Sequence, residues 1–178
     1  DEAGRLADRT GGWITGLLLT TAHHWQKARK EVGMPGRIGI DLYDYLSGQV
    51  LYRQPAPLRD FLLASSVLEE LDPALCRSAL GVEKPLPLMD QLRIRNLFVF
   101  EYEGEQDQLR YHDLFREFLR DTLRREDEGR YRELNLRAAA VYEERGEWER
   151  AVGRYLALQR YAPVVDIIQR VEPDLFEA

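Results

Sequence analysis

Residues 97–111 read LFVFEYEGEQDQLRY, and this stretch decides the fold class. Over residues 97–102, aliphatic and acidic positions alternate with aromatic ones, which is a β-rich pattern. The polar run over 103–108 is typical of a turn, and residues 109–111 can return as a short second strand. The stretch therefore predicts a two-stranded hairpin, in a chain whose other periodic patterns are almost all helical.

Three short helices are predicted immediately before this hairpin. The first begins near Pro57, the second has Asp72 as its N-cap and ends at Gly81, and the third runs from about Pro85 to Asn96. The apolar residues on their inner faces are Leu58, Phe61, Leu62, Leu75, Cys76, Ala79, Leu80, Leu88, Met89 and Leu92. Three short helices followed by a hairpin describe a winged helix, over roughly residues 55–112.

The helix after the hairpin has the strongest amphipathic pattern in the chain. Its apolar positions recur at i, i+3, i+4, i+7, i+8, i+11 and i+12, which is the spacing of one helical face. They are Tyr111, Leu114, Phe115, Phe118, Leu119, Thr122 and Leu123. We expect Phe115 and Phe118 on this face to join the helix to the three helices before the hairpin.

Three further helical stripes are predicted after a charged break at Arg125 to Gly129. Their apolar positions are Leu134, Ala138, Val141 and Tyr142, then Trp148, Ala151, Val152, Tyr155 and Leu156, then Val164, Ile168, Val171 and Leu175. Short antiparallel helices with small residues at the crossing, here Ala138 and Ala151, predict the start of a tetratricopeptide-like α-solenoid. A solenoid start needs further repeats to cover its open face, so we expect the native chain to continue beyond Ala178.

Two more helices are predicted before the winged helix. One runs from Trp13 to Trp25, and the other stops before Pro55. The stripe of the second is Tyr43, Leu46 and Val50. The predicted fold class is thus mainly α, with a helical segment at 1–54, a winged-helix domain at 55–126 and the first helices of a tetratricopeptide-like solenoid at 127–178.

Composition limits the class of protein. The 178 residues are 44% hydrophobic and 31% charged, the balance of an ordinary soluble globular protein. The longest apolar stretch, Ile14 to Ala22, is far too short to cross a bilayer, so we expect no membrane contact. One cysteine excludes an internal disulfide and agrees with a reducing compartment, the cytoplasm. The net charge of −6 argues against a general nucleic-acid clamp, because phosphate binding needs a basic footprint.

No catalytic or metal-binding set stands out. His23 and His24 are adjacent and point about 100° apart on a helix, so they cannot share a metal in the i, i+4 manner. Cys76 lies on an apolar helical face, where a free cysteine behaves as a small hydrophobe. No glycine precedes a lysine and no Gly-x-Gly-x-x-Gly run occurs, so phosphate-cradling signatures are absent. We expect the chain by itself to be no enzyme and to hold no cofactor or metal.

Winged helices often read the DNA major groove with their third helix. The residues that this helix and the wing would present are Asp90, Gln91, Arg93 and Arg95, then Glu101, Glu103, Glu105 and Asp107. The four acids of the wing would be repelled by a phosphate backbone. The sequence therefore favours a winged helix that packs against other protein parts, and direct DNA binding is the alternative.

Seven short segments occur in an order and at spacings typical of one protein family. They are Tyr43-Asp44-Tyr45-Leu46, Val50-Leu51, Arg53-Gln54-Pro55, Phe61-Leu62-Leu63-Ala64-Ser65-Ser66-Val67-Leu68, Pro73-Ala74-Leu75-Cys76, Asn96-Leu97-Phe98-Val99 and Arg110-Tyr111-His112-Asp113-Leu114-Phe115. These segments resemble the middle of MalT-type transcription regulators, which are signal-transducing ATPases with numerous domains (STAND ATPases) and often end in a LuxR-type helix-turn-helix.

The resemblance implies further domains and partners. A nucleotide-binding domain that takes ADP or ATP would precede this segment, and a tetratricopeptide-like sensor would follow it. The partners implied are these two domains of the same protein and further copies of it in an oligomer. DNA would be bound only through a separate domain outside this chain. The function implied is a switch and interaction module that holds the ADP-bound resting state of a bacterial regulator, which itself slowly hydrolyses ATP.

The resemblance also implies one cofactor-binding residue. Tyr111-His112-Asp113 is similar to the Met-His-Asp element of apoptotic and plant immune switches, in which the histidine touches the β-phosphate of ADP. His112 lies near the first turn of its helix, and a helix N-terminus favours an anion. The alternative is a histidine that caps the helix or bridges to the wing. Gly12-Trp13-Ile14 looks like the family's Gly-x-Pro element near the adenine, with Ile14 in place of the proline.

Overall fold

The computed structural model describes residues 46–101 and 107–175, with side chains up to residue 171. The helices of this part are α1 (Ala56–Ser65), α2 (Pro73–Leu80), α3 (Pro85–Ile94), α4 (Asp113–Glu126), α5 (Glu128–Glu144), α6 (Trp148–Ala157) and α7 (Tyr161–Leu175). Strands β1 (Val99–Glu101) and β2 (Leu109–Tyr111) lie between α3 and α4, and a π-helical turn at Leu46–Leu51 precedes α1. The predicted mainly α fold with a winged helix is confirmed, and the solenoid and the domain boundaries stay predictions. The predicted helix from Trp13 to Trp25 lies outside the described residues.

Helix α2 begins and ends where its sequence signals predict. The Asp72 carboxylate accepts hydrogen bonds from the backbone amides of Ala74, at 2.7 Å, and Leu75, at 3.2 Å. These bonds satisfy amides that have no partner inside the helix. Gly81 follows the last turn in the left-handed region, with φ of 72°, a conformation that costs a residue with a side chain about 1–2 kcal/mol.

The hairpin forms as predicted, but its entry does not follow a simple alternation. Val99 pairs with Tyr111 and Glu101 pairs with Leu109 in an antiparallel register. Leu97 and Phe98 are both buried although they are neighbours in the chain, because Phe98 adopts a φ of 52° and the strand begins only after it. The predicted alternation is therefore wrong at this point, since a left-handed residue turns two successive side chains to the same side.

An aromatic cluster joins the hairpin to α4. The Phe115 ring lies 4.8 Å from Phe98 and 5.9 Å from Tyr111, between ring centroids, and 6.1 Å from Phe118. The buried Tyr111 hydroxyl is 2.7 Å from the Ser65 hydroxyl, which in turn donates to a carbonyl of α1. Burial raises the pKa of Tyr111, so the phenol stays neutral. Phe115 and Phe118 are buried as predicted, and α4 packs on α1, whereas the ring contacts of Phe115 join α4 to the hairpin. That the two residues join α4 to all three preceding helices stays a prediction.

The junction between α4 and α5 is much shorter than predicted. The charged break expected at Arg125 to Gly129 is a single residue, Asp127, because α4 extends to Glu126 and α5 begins at Glu128. The Asp127 side chain accepts from the amide of Arg130 at 2.9 Å and so caps α5. The charged residues on either side of Asp127 are exposed residues of α4 and α5. Only Asp127 lies between the two helices.

The last three helices pack on one another, and α5 packs back on α2. Ala138 and Ala151, predicted at a helix crossing, are both fully buried. In the predicted stripe of α7, Val164 and Val171 do pack against the core, but the prediction of Ile168 is wrong, because Ile168 is 53% exposed and Ile167 is buried instead. Leu156, predicted as inward, is also exposed. In both helices, packing against the neighbouring helix determines which of the adjacent apolar side chains are buried.

Candidate functional site

His112 is the N-cap of α4, at the point where the second strand of the wing ends. Its Nδ1 atom accepts a hydrogen bond from the backbone amide of Leu114 at 3.3 Å, and its own amide donates to the carbonyl of Phe98 at 2.8 Å. The imidazole ring packs beside Phe100 of β1, with 5.9 Å between ring centroids. The alternative to a phosphate contact is that His112 caps its helix or bridges to the wing. The structure shows both of these contacts.

The capping bond determines which tautomer of His112 is present. A nitrogen that accepts a hydrogen bond carries no proton, so in the neutral ring the proton is on Nε2. His112 itself lies at the N-terminus of α4, the positive end of the helix dipole, which favours an anion. His112 is half-buried, and its capping bond uses Nδ1.

The basic side chain of the third helix is neutralised by acids. The Arg93 guanidinium donates to Asp90 at 2.8 Å and to Glu101 of the wing at 3.0 Å, and lies 3.9 Å from Asp107. Arg93 and Glu101 also line an open groove of about 200 Å³ between α3 and the wing. A DNA-reading helix needs its arginines available for bases or phosphates, so this pairing disfavours groove binding.

Four ion pairs join the winged helix to the part of the chain that follows it. In each pair the acid belongs to the winged helix, and the arginine lies in α5, directly after α5, or in α6. We call these four pairs the ion-pair cluster, and they are Asp60–Arg130, Asp72–Arg145, Glu70–Arg150 and Glu69–Arg154. Asp60 receives two hydrogen bonds from one guanidinium, at 2.5 and 2.9 Å. Arg150 engages Glu70, and this bond raises the pKa of the guanidinium. The cluster fastens α5 and α6 to α1 and the loop after it.

Arg154 is the buried member of the ion-pair cluster. It is only 8% exposed, donates to the backbone carbonyl of Val67, and pairs with Glu69 at 3.0 Å. Burial lowers its pKa, and the positive charges of Arg116 and Arg120 in α4 lower it further. Burial of Arg154 was not predicted from the sequence, because an arginine on an amphipathic helix is normally expected to be exposed. The pattern that could have indicated it is its position three residues after Ala151, which places both residues on the same face of α6.

Other residues singled out from the sequence lie apart from this region or outside the described residues. Cys76 is fully buried, and burial raises its pKa to about 12, so the thiol is neutral and shielded. Gly12-Trp13-Ile14, His23 and His24 lie outside the described residues. Within 46–101 and 107–175, no three histidine, cysteine or carboxylate side chains come together as potential metal ligands.

No helix in the described part of the chain combines the length and the apolar character needed to cross a bilayer.

Comparisons with known proteins agree with this geometry. Residues 47–131 match the family model of the MalT winged helix domain. The chain is 29% identical over 196 aligned positions to serine/threonine-protein kinase PknK of Mycobacterium tuberculosis, in strains CDC 1551 / Oshkosh and ATCC 25618 / H37Rv, and of Mycobacterium bovis. The alignment covers 99% of this chain and 18% of those relatives, so the chain spans less than a fifth of their length. Residues 47–131 of this chain are therefore a winged-helix domain of the MalT type.

Proposed function

We propose that this chain is a regulatory switch and protein-interaction segment of a larger, nucleotide-dependent regulator. In this proposal the winged helix holds the ADP-bound resting state, with His112 donating from Nε2 to the β-phosphate. The observation that carries it is the position of His112, at the N-terminus of α4 with Nδ1 already engaged by Leu114. In this proposal Nδ1 serves the cap, so Nε2 is the ring nitrogen that donates to the phosphate near the N-terminus of α4, where an anion is favoured.

The domains and partners outside the chain belong to the same proposal. A separate nucleotide-binding domain supplies the ADP or ATP site, a tetratricopeptide-like sensor follows, and a LuxR-type domain binds DNA. Such a regulator works in the cytoplasm and assembles with further copies of itself. The match to under a fifth of much longer relatives supports a multidomain context. The kinase activity in their name is a property of those proteins and is not proposed for this winged helix.

The charge distribution supports protein contacts over DNA contacts for the winged helix. Arg93 is engaged by three carboxylates around the third helix and the wing. We therefore expect no specific duplex binding in a mobility-shift titration at low salt. Sub-micromolar binding that survives competitor DNA would favour the DNA-binding alternative instead.

The direct test compares two substitutions of His112 in the full-length protein. His112→Asn keeps a good N-cap and removes the imidazole, whereas His112→Ala removes both. If His112 contacts the phosphate, both variants release ADP faster, by roughly 10- to 150-fold for a charge-assisted contact of about 1.5–3 kcal/mol. Both should also raise inducer-independent transcription, since a ligand shifts a two-state equilibrium by its differential affinity.

A purely structural role gives a different pattern. In that case His112→Asn leaves ADP release unchanged and only His112→Ala alters the protein, through a loss of stability. The two variants thus separate the capping of α4 from the proposed phosphate contact.

A further inference from the structure

Strand β1 lies at the edge of the small sheet in the wing. Its neighbour β2 has β1 on one side and Leu71 on the other, where Leu71 and Leu109 exchange two backbone hydrogen bonds, at 2.7 and 3.0 Å. Within residues 46–101 and 107–175, no strand other than β2 pairs with β1. An unpaired strand edge is a place where an extended segment of another chain can add to a sheet.

The register shows which backbone groups of β1 point outward. Leu109 uses its amide and carbonyl on Leu71, on the far side of β2, so its pair with Glu101 is one of the antiparallel pairs without mutual hydrogen bonds. Such pairs alternate along a ladder, so Val99 belongs to the same class as Glu101. The N–H and C=O groups of these two residues therefore point away from β2, and they make no hydrogen bond within the described part of the chain.

The groove between α3 and the wing runs beside this edge. Its volume is about 200 Å³, and the residues that line it are Val99 and Glu101 of β1, Phe98 before the strand, and Arg93 and Asn96 at the end of α3. Side chains alternate along a strand, so Val99 and Glu101 share the face of the sheet on which the groove lies. A segment that adds to β1 would place every second side chain next to this groove.

The groove side of β1 carries more negative than positive charge. The Arg93 guanidinium is shared among three carboxylates, those of Asp90 at 2.8 Å, Glu101 at 3.0 Å and Asp107 at 3.9 Å. One positive and three negative charges leave an excess of two negative charges in this group. Basic side chains of an added strand would therefore form favourable cross-strand pairs here, whereas acidic ones would be repelled.

The opposite face of β1 favours apolar partners. Phe100 lies on that face, is 40% exposed, and stands opposite Arg110 in the register. A β-branched side chain on a neighbouring strand packs well beside an aromatic ring. A basic side chain there would instead approach the like charge of Arg110. The two faces of β1 thus select different side chains.

We infer that β1 binds an extended protein segment in which basic and apolar residues alternate, with the basic residues toward the Arg93 groove and the apolar ones beside Phe100. Backbone hydrogen bonds to Val99 and Glu101 supply affinity, and the alternating side chains supply selectivity. A second copy of this chain is disfavoured, because its own β1 would bring the same acids to the groove. The inference rests on the proposed protein-interaction role and is independent of any contact between His112 and ADP.

The experiment adds synthetic peptides to the ¹⁵N-labelled 178-residue chain in buffer without nucleotide. The probe is acetyl-Thr-Val-Lys-Val-Lys-Val-Thr-amide, and the charge control has glutamate in place of each lysine. NMR titration gives the two Kd values, and we expect the lysine peptide to bind at least about tenfold more tightly. Amide hydrogen exchange of Val99 and Glu101 should slow on binding, whereas that of Phe100, whose amide points to β2, should change little. Failure of the lysine peptide to bind, or equal binding of both peptides, would overturn the proposal.

Backbone N-methylation of the peptide separates strand addition from side-chain contacts. One lysine peptide is methylated on the amides of its lysines, and a second on the amides of its valines. Only one of these two sets can face β1, since successive amides of a strand point to opposite sides. One peptide should therefore lose at least about tenfold in affinity and the other should keep it. Equal affinity of the two methylated peptides would contradict strand addition.

Two variants of Glu101 test the same edge from the side of the protein. Glu101→Pro removes an amide that makes no bond to β2, so the hairpin should persist, and thermal unfolding checks this. Glu101→Gln keeps the amide, and both variants lose the carboxylate, so the difference between them isolates the backbone bond. We expect Glu101→Pro to bind the lysine peptide at least about tenfold more weakly than Glu101→Gln does. Equal binding by the two variants would overturn the proposal.

Two further results would assign the edge to a different occupant. If the amides of Val99 and Glu101 resist exchange before any peptide is added, another part of this chain covers β1 and the proposal is wrong. If the chain dimerises in analytical ultracentrifugation and Glu101→Pro abolishes the dimer, a second copy is the occupant, which overturns the proposal as well.

Discussion

The guanidinium of Arg154 in α6 donates a hydrogen bond to the backbone carbonyl of Val67, which lies in the loop between α1 and α2, and both residues are buried. The two residues are 87 positions apart in the chain. This bond, with the other members of the ion-pair cluster, attaches the later helices to the winged helix. A change in the orientation of these two parts would have to break it, which makes Arg154 the natural residue on which to test their coupling.

Replacing Arg154 with methionine should lower the free energy of unfolding by about 1–3 kcal/mol, the cost of leaving a buried carbonyl without a donor. Arg132→Met is the control, because Arg132 forms an exposed i, i+4 pair with Glu128 that contributes about 0.3–0.5 kcal/mol. Urea unfolding of the two variants measures the difference. Similar small shifts for both would contradict the buried bond to Val67.

Replacing Phe115 with alanine should cost about 3–5 kcal/mol, the usual loss for truncating a buried aromatic. Phe115 is fully buried and its ring contacts Phe98, Tyr111 and Phe118. Ile94→Ala is the matched control, since Ile94 is 79% exposed and should change stability by no more than about 0.5 kcal/mol. A denaturation midpoint that barely moves for Phe115→Ala would refute the assigned packing of hairpin and α4.

Two glycine-to-alanine changes should act with opposite signs. Gly81→Ala should destabilise by about 1–2 kcal/mol, because φ is 72° there and the new Cβ would lie 3.0 Å from the Arg137 guanidinium. Gly153→Ala, in the interior of α6 with open space around the new atom, should stabilise by up to about 1 kcal/mol. Differential scanning calorimetry should show melting temperatures on either side of the wild type.

The link between α5 and α7 should weaken in acid. A hydrogen bond from the Tyr155 hydroxyl, at 2.6 Å, and one from Arg170 lower the pKa of the Glu143 carboxyl below its usual value of 4.5. A group whose folded pKa is lowered stabilises the fold above its unfolded pKa and loses that effect as the pH falls through the folded value. The stability difference between wild type and Glu143→Gln should therefore be constant near neutral pH and shrink below about pH 4.5.

The neighbouring Glu144 supplies the control for this pH experiment. It is exposed and makes no hydrogen bond or ion pair within the described part of the chain. Glu144→Gln should follow the wild type over the whole pH range. If Glu143→Gln also kept a constant offset down to strong acid, the carboxylate would not be contributing through its charge.

The thiol of Cys76 should report the opening of the winged helix. Burial raises its pKa to about 12, so at pH 8 an aromatic disulfide reagent finds almost no thiolate in the folded protein. Labelling should be slow in buffer, fast in concentrated guanidinium, and accelerated by Phe115→Ala in proportion to the lost stability. Immediate labelling of the folded wild type would be inconsistent with a shielded thiol.

Local signals were sufficient to predict most of the helices. The cap at Asp72, the left-handed stop at Gly81 and the periodic face of α4 each depend on residues within one or two turns, and all three agree with the structure. The candidate site was predictable only to the extent of placing His112 at the start of its helix. Its capping bond to Leu114 and its ring contact with Phe100 required the geometry of the hairpin.

By itself the sequence determined the order of helices and strands and the winged-helix character, because caps and hydrophobic periods act over short distances. Only the tertiary structure decided that Ile167 is covered and Ile168 is not, and that Phe98 adopts a positive φ to enter the core. It also decided that Arg154 is buried, because the carbonyl that accepts its hydrogen bond lies 87 residues away. The physical reason is common to these cases: which side of a helix or strand loses contact with water depends on a neighbour that local periodicity does not identify.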